Sequence, residues 1–121
     1  MNYWLAAAAA VAFSTFLIHA LAGGREIVRP LLAARELAPI PRLTAYYCWH
    51  MVTLLLLAMS LALAWAAYHA NLPLVMLITA LALAFTVLSL ALVVVYRMSP
   101  WHLPQWSLFA VIALLAGLGL V

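Results

Sequence analysis

Four long stretches without a charged residue constrain this chain more than any other feature of its sequence. They cover residues 3–22, 45–68, 73–96 and 104–121. The hydrocarbon core of a bilayer is about 30 Å thick and needs roughly 20 apolar residues in a helix. The last stretch just crosses if it stands nearly upright. The sequence therefore predicts an all-α polytopic membrane protein, a four-transmembrane-helix antiparallel bundle that forms a single membrane domain over residues 1–121.

Composition excludes a soluble fold for this chain. Of its 121 residues, 72% are hydrophobic and 6% are charged, whereas soluble domains carry about 25% charged residues. The charged residues are five arginines and two glutamates. So few charges cannot cover a water-exposed surface, and the core of so small a domain cannot hold the apolar remainder. Most side chains must therefore face lipid or each other.

The connections between the stretches predict the topology. Residues 69–73 predict a tight antiparallel hairpin, because Asn71 can cap the next helix and Pro73 can lie in its first turn. Residues 23–44 form the only long connection, and they carry both glutamates and four of the five arginines. With four crossings, both termini fall on one side and every arginine falls on the other: Arg25, Arg29, Arg35, Arg42 and Arg97. The positive-inside bias then places the arginines in the cytoplasm of a bacterial-type inner membrane and both termini outside. Within the long connection, residues 30–37 are expected to form a short interfacial helix that begins at Pro30.

The topology gathers three of the four histidines at the arginine-bearing border. His19 ends the first span, His50 begins the second, close to Cys48, and His102 lies in the last connection. Imidazole and thiolate bind transition metals, and paired histidines hold haem. One hypothesis is therefore a redox or metal-handling membrane protein with a metal or haem site on His19 and His50, and with His102 or Cys48 as further ligands. The alternative is that these side chains only anchor or join helices.

Two spacings bear on that hypothesis. Cys48 and His50 are about 200° apart around a helix, so they cannot bind one ion without unwinding. Gly23 and Gly24, which begin four residues after His19, have no side chains and allow another group to approach closely. The alternative is that Gly23 and Gly24 end or loosen the first helix and that His19 hydrogen-bonds to a neighbour.

The five arginines support a second kind of contact. Guanidinium groups pair with phosphate through two parallel hydrogen bonds, so we expect Arg25, Arg29, Arg35, Arg42 and Arg97 to contact anionic lipid headgroups or phosphate. The other interpretation is that they only set the orientation in the membrane. A lipid-modifying or lipid-binding protein would combine this cluster with His19 or Glu26 as acid or base.

Small residues four positions apart indicate surfaces for helix association. Such pairs let membrane helices approach closely, and the spans contain Ala58 with Ala62, Ala80 with Ala84, and Ala113 with Gly117. The sequence favours a small inner-membrane protein that is not an enzyme. It would act by helix–helix association, as a homo-oligomer or as an accessory subunit of a larger membrane complex. The alternative is that the pairs only pack the bundle itself.

Several function classes are disfavoured by what the chain lacks. Its one cysteine cannot form an internal disulfide, and thiol oxidoreductases need two thiols. It has no basic stripe outside the membrane-flanking segments, so no nucleic-acid partner is expected. The middle of each span carries only hydroxyl groups, whereas proton-coupled transporters need an ionisable group at that depth.

Overall fold

The computed structural model describes residues 1–121 as helices joined by short connections, with no strand. The elements are α1 (Tyr3–Ile18), a π-helical segment (His19–Val28), α2 (Arg29–Ala33), α3 (Pro39–Tyr68), α4 (Leu72–Val95) and α5 (Gln105–Leu118). The prediction of an all-helical chain with four principal helices is confirmed. Three helical runs, Tyr3–Ala33, Pro39–Tyr68 and Leu72–Val95, are long and apolar enough to cross a membrane, and α5 is shorter at 14 residues.

Asparagine caps begin two of the helices. The Asn2 side chain accepts hydrogen bonds from the backbone amides of Trp4 and Leu5, at 3.1 and 3.2 Å. The Asn71 side chain accepts one from the amide of Leu74 at 3.1 Å, and Pro73 lies in the first turn of α4. Both caps satisfy amides that have no partner within the helix. The short turn expected at Asn71 between α3 and α4 is confirmed.

The long connection differs from the sequence-based expectation. The first helical run continues through the π-helical segment to Ala33, and α3 already begins at Pro39, so only residues 34–38 lie outside helices. A proline in the first turn of a helix needs no amide donor, which lets α3 begin before its apolar stretch. The guanidinium of Arg42 donates a hydrogen bond to the carbonyl oxygen of Ala34 at 3.2 Å and ties α3 to this connection.

The helices form an antiparallel bundle with two distinct ends. Helix α1 packs against α3 and α5, α4 packs mainly against α5, and α3 and α4 touch each other little. The backbone amide of Asn2 donates to the carbonyl of Ala67 at 2.7 Å, and its side-chain amide donates to the carbonyl of Gly119 at 2.9 Å. Both termini and the α3–α4 turn therefore share one end, the terminal end. The π-helical segment, α2, the start of α3 and the α4–α5 connection form the other, the arginine end.

The core lies mostly towards the terminal end. Its largest fully buried side chains are Leu56, Met59, Leu63 and Ile112. Alanines at the buried positions of α1 let α3 approach closely, and the hydroxyl of Ser60 on α3 donates to the carbonyl of Ala9 at 3.1 Å.

The predicted packing pairs divide between the inside and the outside of the bundle. Ala113 is buried inside the bundle, whereas Gly117 is half-buried and a Cβ atom there would meet nothing within 4 Å. Ala62 is also half-buried, whereas Ala58 and both members of the α4 pair, Ala80 and Ala84, are exposed.

Candidate functional site

A cavity that combines largely apolar walls with a few hydrogen-bonding side chains lies at the arginine end, between the π-helical segment, α3 and the start of α5. Its volume is about 290 Å³. Helical residues His19 and Glu26 line one side, and His102 and Gln105 line another. We call this space the polar cavity. It is the place where the fold gathers hydrogen-bonding side chains that are far apart in the sequence.

His19 is held in the wall of the polar cavity by Trp49. The two rings are stacked, with centroids 3.7 Å apart and an angle of 16° between their planes. The Nε2 atom of His19 lies 3.3 Å from the carbonyl oxygen of Trp49. Because a carbonyl only accepts hydrogen bonds, this contact requires the proton on Nε2, and it leaves Nδ1 of a neutral ring as an acceptor. The hydroxyl of Thr53 donates to the same carbonyl at 3.1 Å.

Gly23 makes the stack possible. A Cβ atom added at Gly23 would lie 2.9 Å from Cζ2 of Trp49, so any larger residue would displace the indole. Of the two glycines at which a close approach is expected, Gly23 has one, and the approaching group is the Trp49 ring. A Cβ atom at Gly24 would meet nothing within 4 Å. The glycines lie inside the π-helical segment, and π-helical geometry is frequent at functional sites.

Two of the four predicted metal or haem ligands, His19 and His102, line the polar cavity. Cys48 and His50 do not belong to its walls, and the His50 ring packs edge-on against Tyr46 with centroids 4.4 Å apart. No group of three or more His, Cys, Asp or Glu side chains is arranged to hold a metal ion. A metal or haem site on His19 and His50 stays a prediction.

The arginines surround the cavity without lining it. Arg42 is half-buried, and the other four are exposed: Arg25, Arg29, Arg35 and Arg97. None of the five belongs to the walls of the polar cavity. Their contact with anionic headgroups or phosphate therefore stays a prediction about the outer surface of the arginine end.

Sequence reasoning did not single out two residues of the site. They are Trp49 and Gln105. The signal for Gln105 was its place directly after Pro104, the N-cap residue of α5. The signal for Trp49 was Gly23, since a glycine in a long apolar helix often marks the approach of a bulky group.

Comparison of the chain with protein-family models, with curated proteins and with solved structures finds no match.

Proposed function

We propose that this chain is an integral membrane protein of a bacterial-type inner membrane, crossing four times with its arginine end in the cytoplasm. The length and apolar character of three helical runs support the crossings. The position of all five arginines at one end supports the orientation. Reporter tags inserted after Arg35 and fused to Val121 should fall on opposite sides of the membrane. Tags on the same side would contradict the four crossings.

The function that the geometry supports best is the binding of a small ligand in the polar cavity. One observation carries this proposal: two distant segments of the chain line one cavity with polar side chains. The π-helical segment contributes His19 and Glu26, and the region around the start of α5 contributes His102 and Gln105. Glu26, His102 and Gln105 are exposed, so a ligand at the membrane border can reach them. Concave sites with a few converging polar groups are typical of ligand binding.

The polar walls can both donate and accept hydrogen bonds. The carboxylate of Glu26 and Nδ1 of His19 accept, whereas the side-chain amide of Gln105 and the ring of His102 offer both kinds of group. A ligand that carries a hydroxyl or a carbonyl group matches these walls. We propose binding without chemical conversion.

Native mass spectrometry after mild detergent extraction tests the binding function. We expect the wild-type protein to retain a non-protein mass that is lost in the double variant Glu26→Ala/His102→Ala. The matched control is Glu36→Ala/His69→Ala, which removes the same residue types outside the cavity and should retain the mass. A wild-type protein without the additional mass, or a double variant that keeps it, would contradict the proposal.

A second candidate function is helix–helix association, as a homo-oligomer or as an accessory subunit. The specific support is that Ala58, Ala80 and Ala84 are exposed, so their small-residue faces are not used inside the chain. We expect Ala80→Phe/Ala84→Phe to lower the oligomer mass in the same spectra, whereas Leu83→Phe, at an exposed position of the same helix, should not. Equal masses in all three proteins would contradict association through α4.

A further inference from the structure

A second cavity adjoins the polar one. It has a volume of about 300 Å³ and lies between α3 and the α4–α5 pair. Eight of its ten lining residues are hydrophobic, including Leu55, Phe85, Leu88 and Leu92. We call it the apolar cavity. It exists because α4 packs mainly against α5 and leaves α3 partly unpartnered.

The two cavities share walls. Five residues line both cavities: Val52 and Leu56 on α3, Leu103 in the α4–α5 connection, and Gln105 and Phe109 at the start of α5. The connection that carries Leu103 is fixed to α4, because the hydroxyl of Ser89 donates to the carbonyl of Leu103 at 3.3 Å. The polar and apolar cavities are therefore neighbouring parts of one amphipathic space.

The apolar cavity borders the outer surface of the bundle between α3 and α4. Three of its hydrophobic lining residues are substantially exposed: Val52 (41%), Leu88 (57%) and Leu92 (40%). In a bilayer, this surface faces the acyl chains, so an apolar chain can enter sideways from the lipid without crossing water.

We propose that the two cavities together bind one uncharged single-chain lipid of the bilayer. Its head, carrying hydroxyl or carbonyl oxygens, lies in the polar cavity, and its chain lies in the apolar cavity between α3 and α4. This inference rests on the proposed binding function and names the class of its ligand. The size of the apolar cavity, at the small end of the range for ligand pockets, suits one chain and not the two chains of a phospholipid.

The charged residues in and around the polar cavity favour an uncharged lipid head. Glu26 is the one acidic residue in the walls and no arginine joins it there, so an anionic head would face a like charge. The arginine end as a whole carries five arginines against two glutamates, which disfavours a cationic head. An uncharged head that hydrogen-bonds to Glu26, His102 and Gln105 meets neither penalty.

Photo-crosslinking with three matched probes tests the proposal. The protein, in phosphatidylcholine nanodiscs, is irradiated with hexadecanol, palmitic acid or hexadecylamine, each carrying a diazirine at the same chain carbon. We expect the alcohol to label peptides of α3 and α4 about tenfold more than the acid or the amine, a ratio that corresponds to about 1.4 kcal/mol. Equal labelling by the three probes, or preferred labelling by the acid or the amine, would overturn the uncharged head.

Two variants locate the labelled site. Leu88→Trp should narrow the mouth of the apolar cavity and reduce labelling by the alcohol about tenfold. Leu90→Trp, on the same helix but outside the cavity walls, should leave it unchanged. If Leu88→Trp does not reduce labelling by the alcohol, the placement of the chain is wrong.

The variant Glu26→Gln tests the charge of the head instead. It should raise labelling by the acid towards that by the alcohol.

The outcomes distinguish this inference from the proposed function. If the native mass spectra show a ligand that depends on Glu26 and His102 while the alcohol probe does not label α3 or α4, ligand binding stands and the lipid assignment is wrong. If the spectra show no such ligand and the probe does not label, both proposals are wrong.

Discussion

The terminal end and the arginine end of this bundle bury very different amounts of side chain. At the terminal end, buried residues come from α1, α3, α4 and α5. At the arginine end, no residue between positions 19 and 55 is buried, and the buried residues there are Ser89 and Val93 on α4 and Phe109 on α5. The buried positions of α1 are mostly alanines, which bring neighbouring backbones close together. At the arginine end, the wall between α1 and α3 is instead built from the stacked rings of His19 and Trp49.

The difference shows how a small helical bundle can separate stability from binding. Close packing at one end fixes the relative positions of the helices. The other end is then free to keep polar side chains and open space, which binding sites need but which contribute little to stability. The following predictions test this division, beginning with the largest effect.

The substitution Leu63→Ala should destabilise the protein most. Leu63 is fully buried towards the terminal end, and removing a buried leucine side chain costs about 2–4 kcal/mol because it leaves a cavity. Leu61→Ala, at a neighbouring position that is 61% exposed, should change the free energy of unfolding by less than about 0.5 kcal/mol. Denaturation in mixed detergent micelles measures both. Equal effects would mean that the terminal end is not the stable region.

The substitution Gly23→Ala should disturb the arginine end specifically. The new methyl group would collide with Trp49, and overpacking of this kind costs about 1–3 kcal/mol. Gly24→Ala meets no neighbour and should stabilise the helix by about 0.5–1 kcal/mol. Unfolding free energies separate the two variants. Tryptophan fluorescence should shift only in Gly23→Ala, and an unshifted spectrum there would contradict the close approach of Trp49.

The substitution Arg97→Gly should stabilise the arginine end. Arg97 follows α4 with a φ angle of 50°, and the next amide, of Met98, donates to the carbonyl of Val93 at 3.0 Å. This left-handed conformation costs a residue with a side chain about 1–2 kcal/mol, and glycine adopts it freely. We expect a gain of about 1 kcal/mol. The control Arg97→Ala removes the same charge but keeps a side chain in the left-handed conformation, so it should not gain stability. If the two variants are equally stable, the loss of charge explains any gain and the backbone strain does not.

The smallest expected effect concerns a hydrogen bond between helices. Ser60→Ala removes the bond from α3 to the Ala9 carbonyl, and such bonds between membrane helices contribute about 0.6 kcal/mol on average. Ser14→Ala removes a bond of an exposed hydroxyl to Ala10 in its own helix and should have almost no effect. A loss in Ser14→Ala as large as that in Ser60→Ala would show that the terminal end gains nothing from the contact.

Much of the fold could be predicted from individual residues. The uncharged stretches predicted four helices, and Asn71 with Pro73 predicted the hairpin between α3 and α4. The helix bounds within the long connection could not be predicted in the same way, because glycine and proline often mark the ends of helices. Gly23 and Gly24 instead lie within a helical run, and Pro39 begins α3. Both residues depend on context: a helix tolerates glycine where a neighbour needs space, and proline in its first turn.

The candidate site was predictable only in part. Alternation of the spans placed His19 and His102 at the same border, and both line the polar cavity. The same reasoning grouped His50 and Cys48 with them, although neither side chain lines the cavity. The topology predicts which residues lie at the same membrane border, but a site also needs side chains that point towards one another. That direction depends on how each helix is rotated about its axis.

The sequence by itself determined the helices, the short turn at Asn71 and the collection of all arginines at one end. These features follow from the local hydrophobicity, capping and charge of each segment. Only the tertiary structure decided that α3 and α4 stand apart, that Trp49 packs on His19 beside Gly23, and that a polar and an apolar cavity adjoin. The physical reason is that such features depend on helix rotation and spacing, which small differences in side-chain packing set between segments distant in the chain.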